Sequence, residues 1–249
     1  MKMGVFLSVI LWAWVLTVGA KNIEPRFDGK KITNDVFWNT AEGMPLYSQG
    51  GGIFRYPDPD TGRLRYYWYG VRYAEAVRYR EDPSVTYPAC TFEAVTCYSS
   101  DDLINWYYEG DVLTREEVDR YGRAGWVGRM GVAYLEAWNQ YVLVVQHDNG
   151  VLFALSHTPN GRFTWHRRIT MEKIIGTPNT GDQTVFVDED TRKPYLIYSY
   201  GRGRNRIYVS EIGIRDGQVD LLDCTQVFKG AGREGNCLFK YEGRYYMCA

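Results

Sequence analysis

Two carboxylates, Asp182 and Glu234, stand at matching places in the sequence, each just before a short apolar strand and a hairpin. The stretches read "DQTVFVDEDTRKPYLIYS" and "EGNCLFKYEGRYYM". If both hairpins are copies of one unit, the two side chains can face a common axis. One acid can then protonate a leaving oxygen while other groups handle charge and water, as cleavage of a glycosidic bond requires. Each carboxylate can equally cap a strand start by accepting backbone N–H groups.

The elements that must position these residues are repeated hairpins. A short apolar strand, a polar turn and a Tyr-rich strand occur four times, first in "GGGIFRYPDPDTGRLRYYWYG" and then in "RMGVAYLEAWNQYVLVVQ" and the two stretches above. Val132, Val185 and Leu238 occupy matching places 53 residues apart, and an insertion at about 72–91 sets the first copy further upstream. Each full unit continues with two more strands. Four strands at roughly 50-residue intervals are typical of a propeller blade.

The repeat predicts an all-β fold, a five-bladed β-propeller of which about three and a half blades are present in residues 21–249. A propeller closes into a ring, and the fourth unit ends in its second strand, so we interpret the sequence as C-terminally incomplete. A two-sheet sandwich is the alternative, but it gives no reason for the regular interval.

Composition limits the class of partner. The 249 residues are 45% hydrophobic and 16% aromatic, and the net charge is -1. That balance argues against nucleic acid or an anionic membrane as a partner, because both attract a basic face. The 21 Tyr and 8 Trp are typical of a surface that binds oligosaccharide or polysaccharide, although tyrosine also serves as a strand and core residue.

The first twenty residues predict a secretory signal peptide. Lys2 provides the positive start, 4–18 the apolar stretch and 18–20 a small-residue cleavage site. The alternative is a transmembrane anchor, for which the apolar run is short. We therefore expect a secreted or periplasmic protein without stable membrane insertion after cleavage.

No metal site or cofactor is predicted. The histidines are scattered, and none of the five cysteines has metal-ligand spacing. The sequence neither predicts nor excludes a calcium ion at the centre of the propeller. In an oxidising compartment Cys90 and Cys97 could pair across a short loop.

Three further residues are candidates for substrate binding. Gln49 and Arg129 stand at the starts of the first two hairpins, where a propeller's inner strands line a funnel, and either can instead make a structural hydrogen bond. Trp126 follows "TREEVDRYGRAG", which we interpret as a short helix or lid, and its ring can stack on a sugar or be buried.

These motifs resemble the five-bladed glycosidases of glycoside hydrolase family 43, from about Tyr47 to Ala249. The resemblance implies that Glu234, ahead of "KYEGRYY", is the general acid. It also implies that Asp182 orients this acid and keeps it protonated, with inversion at the sugar.

The sequence departs from that family at three places. Gly50 stands where most members have an aspartate that acts as the base, and the opening "SQGGG" resembles the branch with exo-β-1,3-galactanases. Val71 and Gly128 stand where that branch usually has glutamates.

Three functions follow as hypotheses. The first is an exported hydrolase that releases terminal galactose or arabinose from plant-type polysaccharides. The second is a non-catalytic, carbohydrate-binding propeller that kept Glu234 and Asp182. The third is a sialidase, suggested by "SSDDLINW", but only Arg129 is placed to bind a substrate carboxylate.

Overall fold

The computed structural model describes residues 31–122, 125–200, 205–230 and 232–249. The predicted signal peptide, residues 1–20, lies outside the described residues. Within the described part of the chain, no helix is long and apolar enough to cross a membrane.

The described strands form three four-stranded antiparallel sheets and one hairpin, each with its strands in chain order. The first sheet contains β1 (Gln49–Pro57), β2 (Leu64–Tyr73), β3 (Phe92–Ser100) and β4 (Tyr107–Thr114). The second contains β5 (Val127–Leu135), β6 (Gln140–His147), β7 (Gly150–Ser156) and β8 (Thr164–Ile169). The third contains β9 (Thr180–Val187), β10 (Pro194–Tyr200), β11 (Arg206–Arg215) and β12 (Gln218–Lys229). The hairpin consists of β13 (Cys237–Tyr241) and β14 (Arg244–Cys248).

The second sheet is buried on both faces, which distinguishes a propeller from a two-layer sandwich. Side chains alternate between the two faces of a strand. On β6, Leu143 and Val145 pack in the core shared with the first sheet, whereas Val142 and Val144 pack in the core shared with the third. The sheets therefore stand side by side like blades, and the propeller prediction is confirmed for this part of the fold.

The first strand of each unit is its innermost strand. β1 packs beside β5, β5 beside β9, and β13 beside β9. Gly131 marks the closest approach, because a Cβ there would lie 2.6 Å from Val185 Cβ and 2.8 Å from Phe54 Cζ. The starts of these strands therefore meet at one end of the central axis.

The hairpin tips predicted in the first and third units are confirmed. Asp58 and Asp188 hold equivalent turns, in which one carboxylate oxygen accepts the N–H groups two and three residues later. The turn between β3 and β4 has the same chemistry, because Asp102 Oδ1 accepts from Ile104 N and Asn105 N. "SSDDLINW" is therefore an ordinary blade turn.

Side-chain hydrogen bonds join the sheets where no backbone ladder connects them. Tyr56 Oη donates to Val132 O at 2.7 Å, and Tyr73 Oη donates to Val127 O at 2.6 Å. Gln146 Nε2 donates to the carbonyls of Thr180 and Gly181 at the start of β9. Rings thus fill the wedge between sheets while their polar atoms satisfy backbone groups of the neighbouring unit.

The hairpin β13–β14 is attached to the third sheet through Asp188. This buried carboxylate accepts a hydrogen bond from Tyr245 Oη and lies 3.6 Å from Lys240 Nζ. Lys240 also pairs with Asp190. The Tyr245 hydroxyl, the turn N–H groups and Lys240 together lower the pKa of Asp188 to about 2.

Three short helices lie in the connections: α1 (Ala76–Glu81), α2 (Arg115–Arg120) and α3 (Glu172–Ile175). The helix predicted from "TREEVDRYGRAG" corresponds to α2. Thr114 caps it by accepting from Glu117 N, and buried Glu117 in turn accepts from Trp165 N.

The proposed pairing of Cys90 with Cys97 is wrong, since all five cysteines are free thiols. Cys97 lies on β3 in the core, where burial raises its pKa, whereas Cys90 is exposed beyond the start of that strand. A core position on one side and a surface loop on the other keep the two sulfurs apart.

Candidate active site

An open cleft of about 1480 Å³ lies at the end where the inner strands begin. Four of the five predicted site residues line it: Gln49, Trp126, Arg129 and Asp182. Glu234 is not among the lining residues; it is exposed just ahead of β13. The inner strands of three sheets therefore contribute to one cavity, as the propeller prediction requires.

Asp182 is the most connected of the predicted residues. Its Oδ2 atom accepts from Arg129 Nη2 at 3.3 Å and from Gly235 N at 2.9 Å. Its backbone carbonyl accepts from Asn236 Nδ2 at 3.1 Å and from Ser199 Oγ at 3.4 Å. One residue thus joins the second sheet, the third sheet and the segment that leads into β13.

Glu234 is placed next to this junction by its neighbour. Gly235, which bonds Asp182, has φ +66, a conformation that glycine adopts without steric cost. The contact fixes the backbone beside Glu234 at the rim of the cleft. The structure therefore places the backbone of Glu234 next to Asp182, through the hydrogen bond of one intervening residue.

Arg129 packs beside Gly50. A Cβ on Gly50 would lie 3.5 Å from Arg129 Cδ, so the arginine stem packs against the glycine. Arg129 keeps 40% of its side chain exposed while it pairs with Asp182. At the position where the family pattern has an aspartate, the cleft is therefore lined by the aliphatic part of the Arg129 side chain. Gln49 is exposed beside it.

Trp126 lies over Gly128, another of the three departures from the family pattern. A Cβ at position 128 would lie 2.2 Å from Trp126 Cη2, so the indole fills the space that a side chain at 128 would take. The ring is 46% exposed, which excludes the buried alternative. Asp148 fixes it from the adjacent turn, because Oδ1 accepts from Trp126 N at 2.7 Å and Asp148 N donates to Trp126 O at 2.9 Å.

Two residues of the cleft, Gln146 and Asp148, were not predicted from the sequence. Gln146 is buried, accepts from Arg129 N at 3.3 Å and donates to the start of β9, so it sets the spacing between the second and third sheets. Its only signal is a polar residue in the apolar run "YVLVVQ". Asp148 lies in a turn with φ +42, and no spacing linked it to the cleft.

The insertion in the first unit forms a wall of the cleft. Its base is closed by Glu75, which accepts from Thr91 N at 2.8 Å and from Thr91 Oγ1 at 2.9 Å. The Thr91 N–H is the main cause of a lowered Glu75 pKa. Arg80 ties the insertion to the N-terminal segment by donating to Trp38 O at 2.9 Å and to Asn39. Residues of both segments line the cleft.

Among the described residues, no group of three His, Cys, Asp or Glu side chains could hold a metal ion. The cleft carboxylates Glu75, Asp148 and Asp182 each accept a hydrogen bond from a neighbouring residue instead.

Comparison with known proteins identifies the family of this chain. The model of glycosyl hydrolases family 43 matches residues 56–249, which is most of the chain. The chain belongs to glycosyl hydrolases family 43. The resemblance found in the motifs is thereby confirmed.

Solved family 43 structures share the fold. An exo-β-1,3-galactanase from Clostridium thermocellum is 28% identical with a TM-score of 0.67, and the match covers 87% of this chain and 45% of that one. An exo-β-1,3-galactanase from Phanerochaete chrysosporium, solved with galactose, is 22% identical with a TM-score of 0.65, covering 87% and 46%. A sequence relative, a β-xylosidase from Formosa agariphila, is 28% identical over 169 residues, 59% of this chain and 27% of the relative. The chain thus spans less than half the length of these three relatives.

Proposed function

We propose that the protein is a glycoside hydrolase that releases terminal galactose from β-1,3-linked galactan, with Glu234 as the general acid. The observation that carries the proposal is the hydrogen bond from Gly235 N to Asp182, which holds the Glu234 backbone at the rim of the cleft in a family 43 chain. The choice of galactan is supported by the exo-β-1,3-galactanase from Clostridium thermocellum.

In this mechanism the two carboxylates have different tasks. Glu234 protonates the glycosidic oxygen as the bond breaks. Water attacks the anomeric carbon from the opposite face with inversion and gives up its proton to a base or to solvent, so that the sugar leaves as the hemiacetal. Asp182 accepts hydrogen bonds from Arg129 and the Gly235 N–H, and its task is to hold the acid in place and bias it toward the protonated form. Trp126 offers a ring face to the sugar, and Gln49 and Arg129 offer hydrogen-bond donors.

The test compares Glu234→Gln with Glu242→Gln, a matched change in the exposed turn of the same hairpin. On β-1,3-galactobiose we expect Glu234→Gln to lower kcat by at least about 100-fold, since general acid catalysis contributes about 10²–10⁴. On an aryl β-galactoside with an acidic phenol as leaving group the loss should be small, because that phenolate leaves without protonation. Equal losses on both substrates, or full activity of Glu234→Gln, would exclude Glu234 as the acid.

A second function is favoured by one observation. Arg129 packs beside Gly50 and the Trp126 ring fills the space beside Gly128, at two positions where the family pattern has acidic side chains. A chain that kept the binding surface and lost the base machinery is a carbohydrate-binding propeller without turnover. Calorimetry with β-1,3-galactooligosaccharides separates the two, because binding with no released galactose supports this alternative.

We also propose that the protein is exported and loses residues 1–20. N-terminal sequencing of the protein recovered outside the cytoplasm tests this: a start at Lys21 is expected, and an intact Met1 contradicts it.

A further inference from the structure

We propose that Asn236 is a positioning residue that docks the Glu234 segment onto Asp182; the catalytic part of this inference rests on the function proposed above. The segment of residues 232–236 belongs to no helix or strand, so its position depends on contacts outside a backbone ladder. Two consecutive residues, Gly235 and Asn236, donate hydrogen bonds to the same residue of β9.

The two bonds act as a clasp because they reach different atoms. Gly235 N donates to the Asp182 carboxylate, and Asn236 Nδ2 donates to the Asp182 backbone carbonyl. A single bond leaves the segment free to pivot, whereas two bonds to separate atoms fix its orientation as well as its distance. Glu234 immediately precedes the clasp, so its backbone inherits this orientation.

Asn236 differs from its neighbours in burial. It is 6% exposed, whereas Glu234 and Gly235 are exposed. Its Oδ1 atom is buried with no hydrogen-bond partner among the described residues. Donation through Nδ2 is therefore the hydrogen bond that holds this amide, and a side chain that cannot donate loses it.

The receiving residue is rigidly supported. Ser199 Oγ donates to the same Asp182 carbonyl, and Arg129 pairs with its carboxylate. A Cβ on Gly181 would lie 2.0 Å from Ser199 Oγ, so the glycine lets β10 approach closely. The clasp therefore holds the backbone next to Glu234 in a fixed position relative to the second and third sheets.

The experiment replaces the donor by an acceptor of the same shape. In the full-length protein, Asn236→Asp places an ionised oxygen against the Asp182 carbonyl, and kcat on β-1,3-galactobiose should fall by about 10-fold to 100-fold with KM little changed, as misplacement of a catalytic group does. A protonated aspartate donates again, so the ratio of variant to wild-type kcat should rise as the pH is lowered toward about 4. Asn205→Asp makes the same change at an exposed position just before β11, and its kcat should match that of wild type at every pH.

A second readout does not depend on activity. Hydrogen exchange of the Gly235 amide should be about tenfold faster in Asn236→Asp at neutral pH, because loss of the clasp opens the segment locally. If wild type hydrolyses nothing but this amide is deprotected only in Asn236→Asp, the proposed function fails and the clasp stands. An unchanged exchange rate, or a kcat ratio that is low and flat with pH, overturns the inference.

Discussion

Asp188 allows a quantitative test of how the hairpin carrying Lys240 and Tyr245 is held to the third sheet. Its pKa is lowered from 3.8 to about 2, first by the Tyr245 hydroxyl and then by the N–H groups of its own turn and by Lys240. One pKa unit corresponds to 1.36 kcal/mol, so the ionised form contributes roughly 2 kcal/mol to the free energy of unfolding. A lowered pKa stabilises the fold fully above the unfolded value of 3.8 and loses that contribution as the pH falls through about 2.

The perturbation is Asp188→Asn, which keeps an oxygen for the turn N–H groups but removes the charge. At pH 7 we expect a loss of about 2 kcal/mol in the free energy of unfolding, measured by urea titration. The difference from wild type should shrink as the pH is lowered from about 5 toward 2. Asp188→Ala should cost about 1–3 kcal/mol more, because buried donors then lose their acceptor.

Asp190→Asn is the matched control. Asp190 also pairs with Lys240, but its side chain is 74% exposed, and an exposed ion pair contributes about 0–1 kcal/mol. If Asp188→Asn and Asp190→Asn have equal effects, or if the effect of Asp188→Asn does not change with pH, the explanation of the low pKa is refuted.

Two other predictions concern the cleft and the thiols. Gly128→Ala should displace the Trp126 ring, since the added Cβ would lie 2.2 Å from Cη2, and should weaken galactooligosaccharide binding about tenfold in calorimetry; unchanged affinity would mean that the ring does not contact sugar. In the native protein a thiol reagent should modify the four exposed cysteines (Cys90, Cys224, Cys237 and Cys248) and reach Cys97 only after unfolding, as peptide mass mapping can check. Modification of Cys97 at the rate of Cys90 would contradict its burial in the core.

The sequence was sufficient for the blades because their signal is local and periodic. Val132 and Val185 pair with Leu143 and Leu196 in equivalent registers, so the interval read from the sequence is the interval of the fold. The tips at Asp58 and Asp188 follow from turn chemistry that spans only a few residues. Such features need no knowledge of distant parts of the chain.

The walls of the cleft could not be predicted, because they depend on contacts between distant segments. Arg80 bonds the N-terminal segment at Trp38 and Asn39, and no periodicity links these stretches. The exposure of Trp126 depends on the missing side chain at Gly128 and on Asp148 in the next turn. The pairing of Cys90 with Cys97 was wrong because short sequence separation does not reveal that one thiol faces the core.

The motif "KYEGRYY" could be recognised in the sequence, but its physical role could not be predicted. Lys240 and Tyr245 belong to it only through resemblance to a family. The structure gives the physical reason, since both side chains reach the Asp188 turn of the preceding unit.

The side-chain bonds between the sheets have a consequence for assembly. Units of similar length and pattern can dock on the wrong neighbour while the chain folds, and apolar packing alone discriminates poorly between similar surfaces. Tyr56 instead matches its hydroxyl to the carbonyl of Val132, and Gln146 matches its amide to the carbonyls of Thr180 and Gly181. A unit seated out of order would bury those polar atoms unpaired. The hydrogen bonds between two sheets therefore favour the docking of each unit on the unit that follows it in the chain.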